Sequence, residues 1–459
     1  MENKYKNIYF MGIGCIGMSA LAHYFHYNDY NISGYDKVRS ENCIRLENKG
    51  IKIHYEDNDN SIPLEFNDNQ TSLIVFTPAI PSDSYLLNHF KNNNFTILKR
   101  SEVLGLISNE KETIAIAGTH GKTSVSSISA WIMSNGHESC NAFLVGISKN
   151  FNSNIFIKPE SKYAVVEADE FDRSFLTLSP STALITCIEA YHLDIYNDFE
   201  SLKSAFIEFA KKINRKGSLV LHNSIDKEIF ERELENIEIY QYGINDRSAD
   251  FNLTNIEYHS DSCYFDIIHP NGKIESIKYQ IGGDHNLENA LAASAVSLLN
   301  SITGGLIKNA LEAFTCVVRR FDVQLKTDNF IYIDDYAHHP SEIKAFLSAV
   351  KTMYPNRQVT AVFQPHLYSR TRDFYKEFAK SLSICDNLVL LPIYPAREKP
   401  IEGINSELIL NLSTARNKQI CQKDKLINTI KELTPEVLVT MGAGDIDQFV
   451  EPLKIEFTK

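Results

Sequence analysis

The chain has 459 residues, of which 43% are hydrophobic and 23% charged, and this composition favours two to four globular domains with sizeable cores. Its formal net charge of -12 argues against a general nucleic-acid binder, so no nucleic-acid partner is expected. No stretch approaches the length of a membrane span and the first residues carry no signal-peptide pattern, so we expect a cytoplasmic protein with no membrane partner, whose eight cysteines are reduced, mostly buried thiols.

A glycine motif follows the first predicted strand. Residues Ile8 to Phe10 favour a strand, Gly12-Ile13-Gly14-Cys15-Ile16-Gly17 a turn, and Met18 to Tyr27 a helix. A second strand, Asn31 to Tyr35, ends at Asp36, and this combination is typical of dinucleotide binding. The glycines specify only the close approach of a backbone to a diphosphate. A nicotinamide cofactor and a UDP-sugar therefore both fit the pattern.

An exposed loop is predicted after the strand from Ser72 to Thr77. The loop, Thr77-Pro78-Ala79-Ile80-Pro81, lies at a strand carboxyl end, where ligands bind in open α/β sheets. The alternative is that the two prolines only shape a turn.

A second unit starts near Ser108 and contains the most informative stretch of the chain. The run Thr113 to Ala117 predicts a buried strand, and Ser124 to Met133 predicts a helix. Between them, Gly118-Thr119-His120-Gly121-Lys122-Thr123-Ser124 has the geometry of a phosphate cradle: backbone N–H groups face the anion, Lys122 reaches the outer phosphates and Thr123 can hold magnesium. The general P-loop pattern is not met, because Ile116 stands where it requires glycine. An ordinary strand-to-helix turn is the alternative.

Acidic residues follow the next predicted strand of this unit. The run from Lys162 to Val166 leads to Glu167, Asp169 and Glu170, which are placed to hold magnesium beside the cradle unless they form a solvated acidic loop. Another strand, Thr182 to Ile188, is followed by His192, whose candidacy as a ligand depends on its neighbours.

Two further segments of the second unit carry polar candidates. Helices are predicted over Phe199 to Ile213 and Asn286 to Leu299. Asn286 and Asn289 lie one turn apart, where their amides could read an adenine edge or make local cap hydrogen bonds. The segment Arg319-Arg320-Phe321-Asp322 is interpreted as a hinge or a phosphate contact.

The third unit repeats the alternation of strands and helices. Its first strand, Phe330 to Ile333, precedes a predicted loop with two acids, Tyr336, His338 and His339, which would be unfavourable to bury without partners. The next strand, Val359 to Phe363, leads to Arg370 and Arg372, which suit carboxylate or phosphate binding. Strands that alternate with helices in all three units predict an α/β fold with mostly parallel sheets.

Taken in order, these motifs resemble those of the Mur ligase family over nearly the whole chain. The resemblance implies three domains: residues 1–107 as a Rossmann-like UDP-sugar-binding domain, 108–321 as a central P-loop ATPase domain with a mostly parallel sheet, and 322–459 as a Rossmann-like amino-acid-binding domain. The matching segments are Gly12 to Ser19, Gly118 to Ser124, Glu167 to Glu170, His285-Asn286, Arg319 to Phe321, Asp335 to Pro340, Phe363 to His366, Tyr394 to Glu398 and Gly442 to Asp445.

The same resemblance implies an activity. It implies ATP-dependent joining of L-alanine to the lactyl carboxylate of UDP-N-acetylmuramate through an acyl phosphate, with Mg²⁺ or Mn²⁺, by a monomer or weak homodimer in peptidoglycan precursor synthesis. The alternatives are a muropeptide-recycling ligase that attaches a peptide to the same sugar nucleotide, a nicotinamide-dependent oxidoreductase, and an ATP-regulated binding module without catalysis.

Residue roles also follow from the resemblance. It implies catalytic roles for Lys122, Arg320 and His338, and an alanine site made of Tyr336, His338 and Arg370. ATP would bind at Gly118 to Ser124, Asn286, Asn289 and Asp335; the UDP-sugar at Gly12, Gly14, Gly17, Met18, Ser19, Thr77, Pro78 and Ala79; and the metal at Thr123, Glu167 and His192. The chain departs from the family pattern at Tyr191, where an acid is usual, and at Leu367, where arginine is common.

Overall fold

A computed structural model describes residues 4–189, 196, 198–214, 216–396 and 398–458. The chain divides into two compact units. The first comprises Met1–Thr254, Ile267–Glu275 and Asn289–Ala313, and the second comprises Asn255–Asp266, Ser276–Glu288 and Phe314–Lys459. His192, Tyr191 and Arg397, which the sequence analysis singled out, lie outside the described residues.

The first sheet has five parallel strands in the order β3-β2-β1-β4-β5. The strands are β1 (Asn7–Met11), β2 (Asn31–Tyr35), β3 (Lys52–His54), β4 (Ser72–Phe76) and β5 (Thr96–Lys99). The helices are α1 (Ile16–Tyr27), α2 (Glu41–Glu47), α3 (Tyr85–Asn92) and α4 (Arg100–Asn109), with a 3₁₀ turn at Leu64–Phe66. The strand order reverses between β1 and β4, which is where open α/β sheets bind ligands. The loops that carry the first glycine motif and Thr77 leave the sheet at that point.

The second sheet has ten strands in the order β15-β14-β13-β12-β11-β10-β6-β9-β7-β8. The strands are β6 (Glu112–Ala117), β7 (Asn141–Ser148), β8 (Ser153–Phe156), β9 (Tyr163–Glu167), β10 (Thr182–Ile185), β11 (Ser218–His222), β12 (Glu238–Ile244), β13 (Phe251–Tyr258), β14 (Cys263–His269) and β15 (Gly272–Tyr279). The associated helices are α5 (Lys122–Ser134), α6 (Phe199–Ala210), α7 (Lys227–Glu231), α8 (Asp284–Leu299) and α9 (Gly304–Ala313), with a 3₁₀ helix at Phe171–Thr177.

The strand β6 lies inside this sheet, parallel to both of its neighbours, β9 and β10. From Thr113 to Ala117 it is fully buried, which explains the unbroken apolar run in its sequence. The carboxyl ends of these three strands meet at one edge. The glycine turn after Ala117, the acids after Val166 and the segment after Ile185 therefore leave the sheet side by side.

The third sheet has six strands in the order β16-β17-β21-β18-β19-β20, all parallel except the pair β16 and β17. The strands are β16 (Asp322–Lys326), β17 (Ile331–Asp335), β18 (Val359–Phe363), β19 (Asn387–Leu390), β20 (Asn417–Ile420) and β21 (Val437–Met441). The helices are α10 (Pro340–Met353), α11 (Tyr368–Leu382), α12 (Glu407–Leu412), α13 (Leu426–Leu433) and α14 (Val450–Thr458), with 3₁₀ turns at Lys423–Lys425 and Asp445–Phe449.

One boundary in the third sheet differs from the sequence expectation. Asp334 and Asp335, predicted to open a loop, are the last two residues of β17 and are buried. Partners make this burial possible, because Arg319 pairs with Asp334 and two backbone N–H groups bind Asp335.

The predicted α/β class with mostly parallel sheets is confirmed. The thiol prediction is confirmed as well, since none of the eight cysteines, all of which lie in the described ranges, forms a disulfide and six are buried. No helix in the described part of the chain is long and apolar enough to cross a bilayer.

Candidate active site

The glycine turn after β6 is built around backbone shapes that only glycine adopts easily. Gly118 has φ +128° and Gly121, the residue before α5, has φ +83°. A Cβ at Gly118 would overlap Thr186 Oγ1 and lie 2.8 Å from the Thr186 backbone nitrogen, whereas one at Gly121 would lie 2.8 Å from Asn289 Oδ1. The turn therefore packs tightly against its neighbours and points a helix N-terminus at the sheet edge, as an anion cradle requires.

The side chains of the turn fix it to the end of β10. The Thr119 backbone N–H donates to Cys187 O at 3.0 Å, and the Glu189 N–H donates to Thr119 Oγ1 at the same distance. Thr186 Oγ1 donates to the His120 carbonyl, and His120 Nε2 lies 3.5 Å from Glu189 Oε2. Thr119 and His120 thus hold the shape of the cradle, and Ser124 lies half-exposed in the first turn of α5.

Lys122 forms a buried ion pair that the sequence did not indicate. Its Nζ lies 2.7 Å from Glu170 Oε2 and 2.6 Å from the Gly118 carbonyl oxygen. Burial disfavours the charged amine, but the carboxylates of Glu170, Asp169 and Glu167 raise its pKa, so it is protonated. The three acids were expected to hold magnesium together. Glu170 instead neutralises Lys122, so phosphates that bind Lys122 must compete with this carboxylate.

Thr123 and Glu167 form the part of the edge that suits a hard cation. Thr123 Oγ1 lies 2.9 Å from Glu167 Oε1, and the second carboxylate oxygen is 3.4 Å from both Ser126 Oγ and the Val145 backbone nitrogen. A hydroxyl and a carboxylate side by side are the oxygen donors that Mg²⁺ takes from a protein when phosphates and water supply its other ligands. In the part of the chain that is described, no group of three or more His, Cys, Asp or Glu residues could enclose a metal.

The first glycine turn has a different support. The Gly14 N–H donates to Asp36 Oδ2 at 2.8 Å, and the Val38 N–H donates to the other oxygen at 3.1 Å. A Cβ at Gly12, where φ is +83°, would lie 2.6 Å from Thr77 Cγ2, so the two loops at the reversal of strand order touch. Asp36 holds the turn itself and is not directed at a ribose, as a nicotinamide site would require.

Other predicted residues of the UDP-sugar site differ in their access to solvent. Met18 and Ser19 are almost completely buried, and their N–H groups donate to Cys15 O inside the helix. Pro78 and Ala79 are exposed in the loop that follows β4. The structure therefore leaves Gly14, Gly17 and the Thr77 loop at least partly accessible, whereas Gly12 is buried and the Met18 side chain packs in the core.

The two asparagines at the start of α8 have different surroundings. Asn286 is buried and donates through Nδ2 to the Gly282 carbonyl at 2.9 Å, which is the local cap bond considered as the alternative to adenine binding. Asn289 has its amide oxygen beside Gly121 in the cradle.

The adjacent arginines Arg319 and Arg320 have different surroundings. Arg319, with φ +61°, donates to Asp334 Oδ2 at 2.9 Å and to the Gly442 carbonyl at 2.6 Å, so it is a structural link. Arg320 lies half-exposed with its guanidinium 5.1 Å from the Tyr336 ring centroid. Asp335 accepts hydrogen bonds from the Phe321 and Ala337 N–H groups, and burial raises its pKa to about 6.

His338 lies in a cluster of rings at the ends of β17 and β18. Its ring centroid is 5.1 Å from that of Tyr336 and 6.4 Å from that of His366. Burial lowers the pKa of His338 to about 4, and the positive charge of Arg370 acts in the same direction while Glu342 opposes it. Nδ1 lies 3.0 Å from the Tyr336 carbonyl, which can only accept. Nδ1 therefore carries the hydrogen, and Nε2 of the neutral ring keeps a lone pair.

Leu367, one of the two departures from the family pattern, has a strained backbone. Its φ of +72° is rare for a side chain with a Cβ, and it comes immediately before α11, which carries Arg370. The Leu367 N–H donates to the Tyr394 carbonyl at 2.9 Å, and its own carbonyl accepts from Thr371 Oγ1 at 2.9 Å. These bonds fix the start of the helix that positions Arg370.

Comparison with protein families gives three adjacent matches that together span most of the chain. Residues 7–112 match the Mur ligase family, catalytic domain; residues 116–297 match the Mur ligase middle domain; and residues 319–444 match the Mur ligase, glutamate ligase domain.

Named relatives match over almost their full length. A UDP-N-acetylmuramate–L-alanine ligase of Flavobacterium psychrophilum is 45% identical over 454 residues, which cover 99% of this chain and 98% of the relative. One of Cytophaga hutchinsonii is 42% identical over 98% of this chain and 96% of the relative. Among solved structures, a UDP-N-acetylmuramate-alanine ligase of Thermotoga maritima superposes with a TM-score of 0.81 at 24% identity, with 99% of each chain covered. A murein peptide ligase of Psychrobacter arcticus gives 0.69 at 20% identity, with 97% and 98% covered.

The solved structures establish the fold, and the matched domains together with the full-length relatives establish the family. This chain belongs to the Mur ligases, the ATP-dependent ligases that its glycine turn and strand-end acids first indicated.

Proposed function

We propose that this chain joins L-alanine to the lactyl carboxylate of UDP-N-acetylmuramate, with ATP converted to ADP and phosphate. The observation that carries this proposal is the edge of the second sheet, where the glycine turn lies beside two partly buried pairs, Lys122 with Glu170 and Thr123 with Glu167. The substrates are taken from the names of the relatives that match at 42% and 45% identity.

The chemistry needs two steps, because a carboxylate is a poor acylating agent. A carboxylate oxygen attacks the γ-phosphorus of ATP, the bond to the β–γ bridging oxygen breaks, and ADP leaves with that electron pair. The alanine nitrogen then attacks the carbonyl carbon of the acyl phosphate. The resulting tetrahedral intermediate expels phosphate as its C–O bond breaks, and the nitrogen loses a proton.

The cradle has a clear role in the first step, in which two anions must meet. The N–H groups of Gly118 to Ser124 and the N-terminus of α5 face phosphate, and Lys122 moves from Glu170 to the outer phosphates. When bound at Thr123 and Glu167, Mg²⁺ supplies further neutralisation of the phosphate charge. Asn289, next to Gly121, is the better placed of the two candidate adenine contacts, and we assign Arg320 and Asp335 to the nucleotide as well.

The second step needs a carboxylate site and a proton acceptor for alanine. We assign the alanine carboxylate to Arg370 and the proton to Nε2 of His338, because Nδ1 carries the hydrogen of the neutral ring and Nε2 keeps its lone pair. Tyr336 packs edge-on against that ring and fixes its orientation.

ADP formation with UDP-N-acetylmuramate, scanned over amino acids, tests the proposed function. We expect L-alanine to support the fastest turnover, glycine and L-serine to be slower, and the tripeptide L-alanyl-γ-D-glutamyl-meso-diaminopimelate to support none. Turnover with the tripeptide alone would instead identify a recycling ligase. No ADP formation with either would overturn both assignments.

The alanine site is tested separately by His338→Ala. We expect the KM for L-alanine to rise at least about tenfold while the KM for UDP-N-acetylmuramate is unchanged, because only the alanine contact and its proton acceptor are lost. His259→Ala, which alters an exposed histidine paired with Glu257, is the matched control. An unchanged KM for alanine would remove His338 from this site.

The proposal also includes the location of the reaction, the oligomeric state and the domain limits. We place the reaction in the cytoplasm, where ATP and sugar nucleotides are available, and expect a monomer or weak homodimer. We also propose the domain limits 1–107, 108–321 and 322–459. Sedimentation velocity over a range of concentrations checks the oligomeric state, and limited proteolysis checks the limits.

A further inference from the structure

Arg100, the first residue of α4, lies against the first glycine turn. A Cβ built on Gly17 would be 3.0 Å from Arg100 Cδ and 3.1 Å from Nη1, so the side chain passes directly over this glycine. Gly17 is the second residue of α1, whose N-terminus faces the reversal of strand order in the first sheet. The guanidinium is thus held next to the turn that the sugar nucleotide approaches.

The same side chain also reaches the edge of the second sheet that carries Glu167 and Asp169. Arg100 lines one cleft together with Gly17, Val145 and Glu167, and a second cleft together with Glu167, Asp169 and Ser174. All of these residues belong to the first compact unit. Arg100 therefore lies between the turn that suits a diphosphate and the carboxylate that suits magnesium.

No carboxylate of the described residues forms an ion pair with Arg100. Its guanidinium forms no hydrogen bond or ion pair with any described residue, although the side chain is partly buried. Arg39 and Arg319, by contrast, donate to carboxylates, Arg39 to Glu47 at 2.8 Å and Arg319 to Asp334 at 2.9 Å. An arginine fork in a cleft favours a bidentate oxyanion partner, such as a carboxylate or a phosphate.

We propose that Arg100 binds an oxyanion of the sugar nucleotide, either its diphosphate or its lactyl carboxylate, and positions that substrate between the two sites. The inference rests on the proposed function for the identity of the substrate. Its chemical sense is that the reacting carboxylate must be brought to a γ-phosphate of the same sign, and a fixed cation between them reduces this repulsion.

Binding titrations by calorimetry test this proposal without requiring turnover. The probes are UDP-N-acetylmuramate, UDP-N-acetylglucosamine, which keeps the diphosphate but lacks the lactyl carboxylate, and ATP. We expect Arg100→Gln to weaken UDP-N-acetylmuramate about tenfold or more and to leave ATP affinity unchanged. If UDP-N-acetylglucosamine is weakened equally, the diphosphate is the bound group. If only UDP-N-acetylmuramate is weakened, the bound group is the carboxylate.

Two further variants separate a binding role from a structural one. Arg100→Lys keeps the charge without the fork, and we expect it to lose about threefold in affinity for UDP-N-acetylmuramate. Arg45→Gln changes an arginine of α2 that is paired with Glu41 at 3.8 Å, and this variant should bind all three probes like the wild type.

Two results would overturn the proposal: unchanged affinity for both sugar nucleotides in Arg100→Gln, or an equal loss of affinity for ATP, which would indicate general distortion. If Arg100→Gln fails to fold, Arg100→Lys provides the test. An affinity of this variant for UDP-N-acetylmuramate equal to that of the wild type at all salt concentrations would contradict a bidentate contact by the guanidinium. A wild-type protein that binds ATP but not UDP-N-acetylmuramate would instead refute the proposed function.

Discussion

The glycine turns after β1 and β6 each lie between a buried parallel strand and a helix, and they are stabilised in opposite ways. In the first turn, an acid closes the structure, because Asp36 accepts the Gly14 N–H. In the second turn, a cation fills it, because Lys122 lies over the Gly118 carbonyl and pairs with Glu170. Each turn contains a glycine with φ +83°, but Gly12 directly follows its strand whereas Gly121 directly precedes its helix.

The difference shows that a glycine turn specifies room for a phosphate but not which phosphate binds. The first turn has no lysine or threonine of its own at the helix start, and Arg100, from a helix far along the chain, lies against Gly17 instead. The second has both residues in sequence, beside a carboxylate. Under the proposed function, the side chains around each turn would distinguish a site for an intact diphosphate from a site of phosphoryl transfer.

The largest effect is expected from Lys122→Ala. This substitution should reduce ADP formation about 10³-fold or more, because it removes the cation that stabilises charge on the transferred phosphoryl group. The affinity for UDP-N-acetylmuramate should not change, since the first turn does not contain Lys122. Lys162→Ala, an exposed lysine paired with Glu112, is the control. A rate within about tenfold of the wild type would contradict the distinction between the turns.

Alanine substitutions at glycines should then show how rigid each turn is. We expect Gly118→Ala to lower the free energy of unfolding by about 3 kcal/mol, because the added methyl meets both the hydroxyl and the backbone of Thr186. Gly12→Ala should lose less, about 2 kcal/mol, since it meets a threonine methyl that can rotate.

Gly50→Ala is the matched control for these two variants. Gly50 has φ +85° with nothing within 4 Å of the added Cβ, so it reports backbone strain alone, about 1 kcal/mol. Urea unfolding of the three variants gives the order. Equal losses at all three positions would mean that the second turn is no more constrained than an open one.

Glu170→Gln tests the ion pair that occupies the second turn. The variant should be about 2 kcal/mol less stable without nucleotide, because Lys122 loses its buried counter-charge. ATP with magnesium should stabilise it more than it stabilises the wild type, because phosphate no longer competes with a carboxylate. Urea unfolding with and without ATP measures both terms, and Glu160→Gln, an exposed acid paired with Lys158, is the control. An ATP-induced gain no larger than that of the wild type would refute the competition.

The smallest effect is expected from Asp36→Asn. Loss of the charged acceptor for Gly14 and Val38 should lower the free energy of unfolding by about 1 kcal/mol, since an amide oxygen can replace part of the interaction. NADH fluorescence titration should show no binding to either protein. Binding of NADH to the wild type that is lost in the variant would favour the nicotinamide interpretation of the first turn.

Local sequence patterns predicted most of the fold. The strand from Asn31 to Tyr35 and the strand from Val359 to Phe363 have the predicted bounds, and the strand before each glycine turn extends by only one residue at one or both ends. These features depend on neighbours in sequence, such as apolar runs and glycines. The burial of Asp334 and Asp335 was not predictable in this way, because their partners come from a loop with positive φ values.

In the candidate site, too, the sequence predicted the local motifs but not the contacts between residues far apart in the chain. The glycine turn and the position of Thr123 beside Glu167 follow from the motif and from the rule that parallel strands end at one edge. The pairing of Lys122 with Glu170 and the position of Arg100 over Gly17 join residues that are far apart in sequence. Such contacts depend on how helices and strands pack against one another. Motifs of neighbouring residues in a single sequence do not specify that packing.

The construction of the second turn has a consequence for inhibitor design. Its inner surface is main chain, and its two glycines have no room for a larger residue. A compound that hydrogen-bonds to this backbone would meet few resistance mutations. A substitution that weakens inhibitor binding there would also destabilise the fold or weaken ATP binding. Resistance would instead require substitutions at side chains that ATP does not contact, so a durable inhibitor should depend on the main chain of the turn.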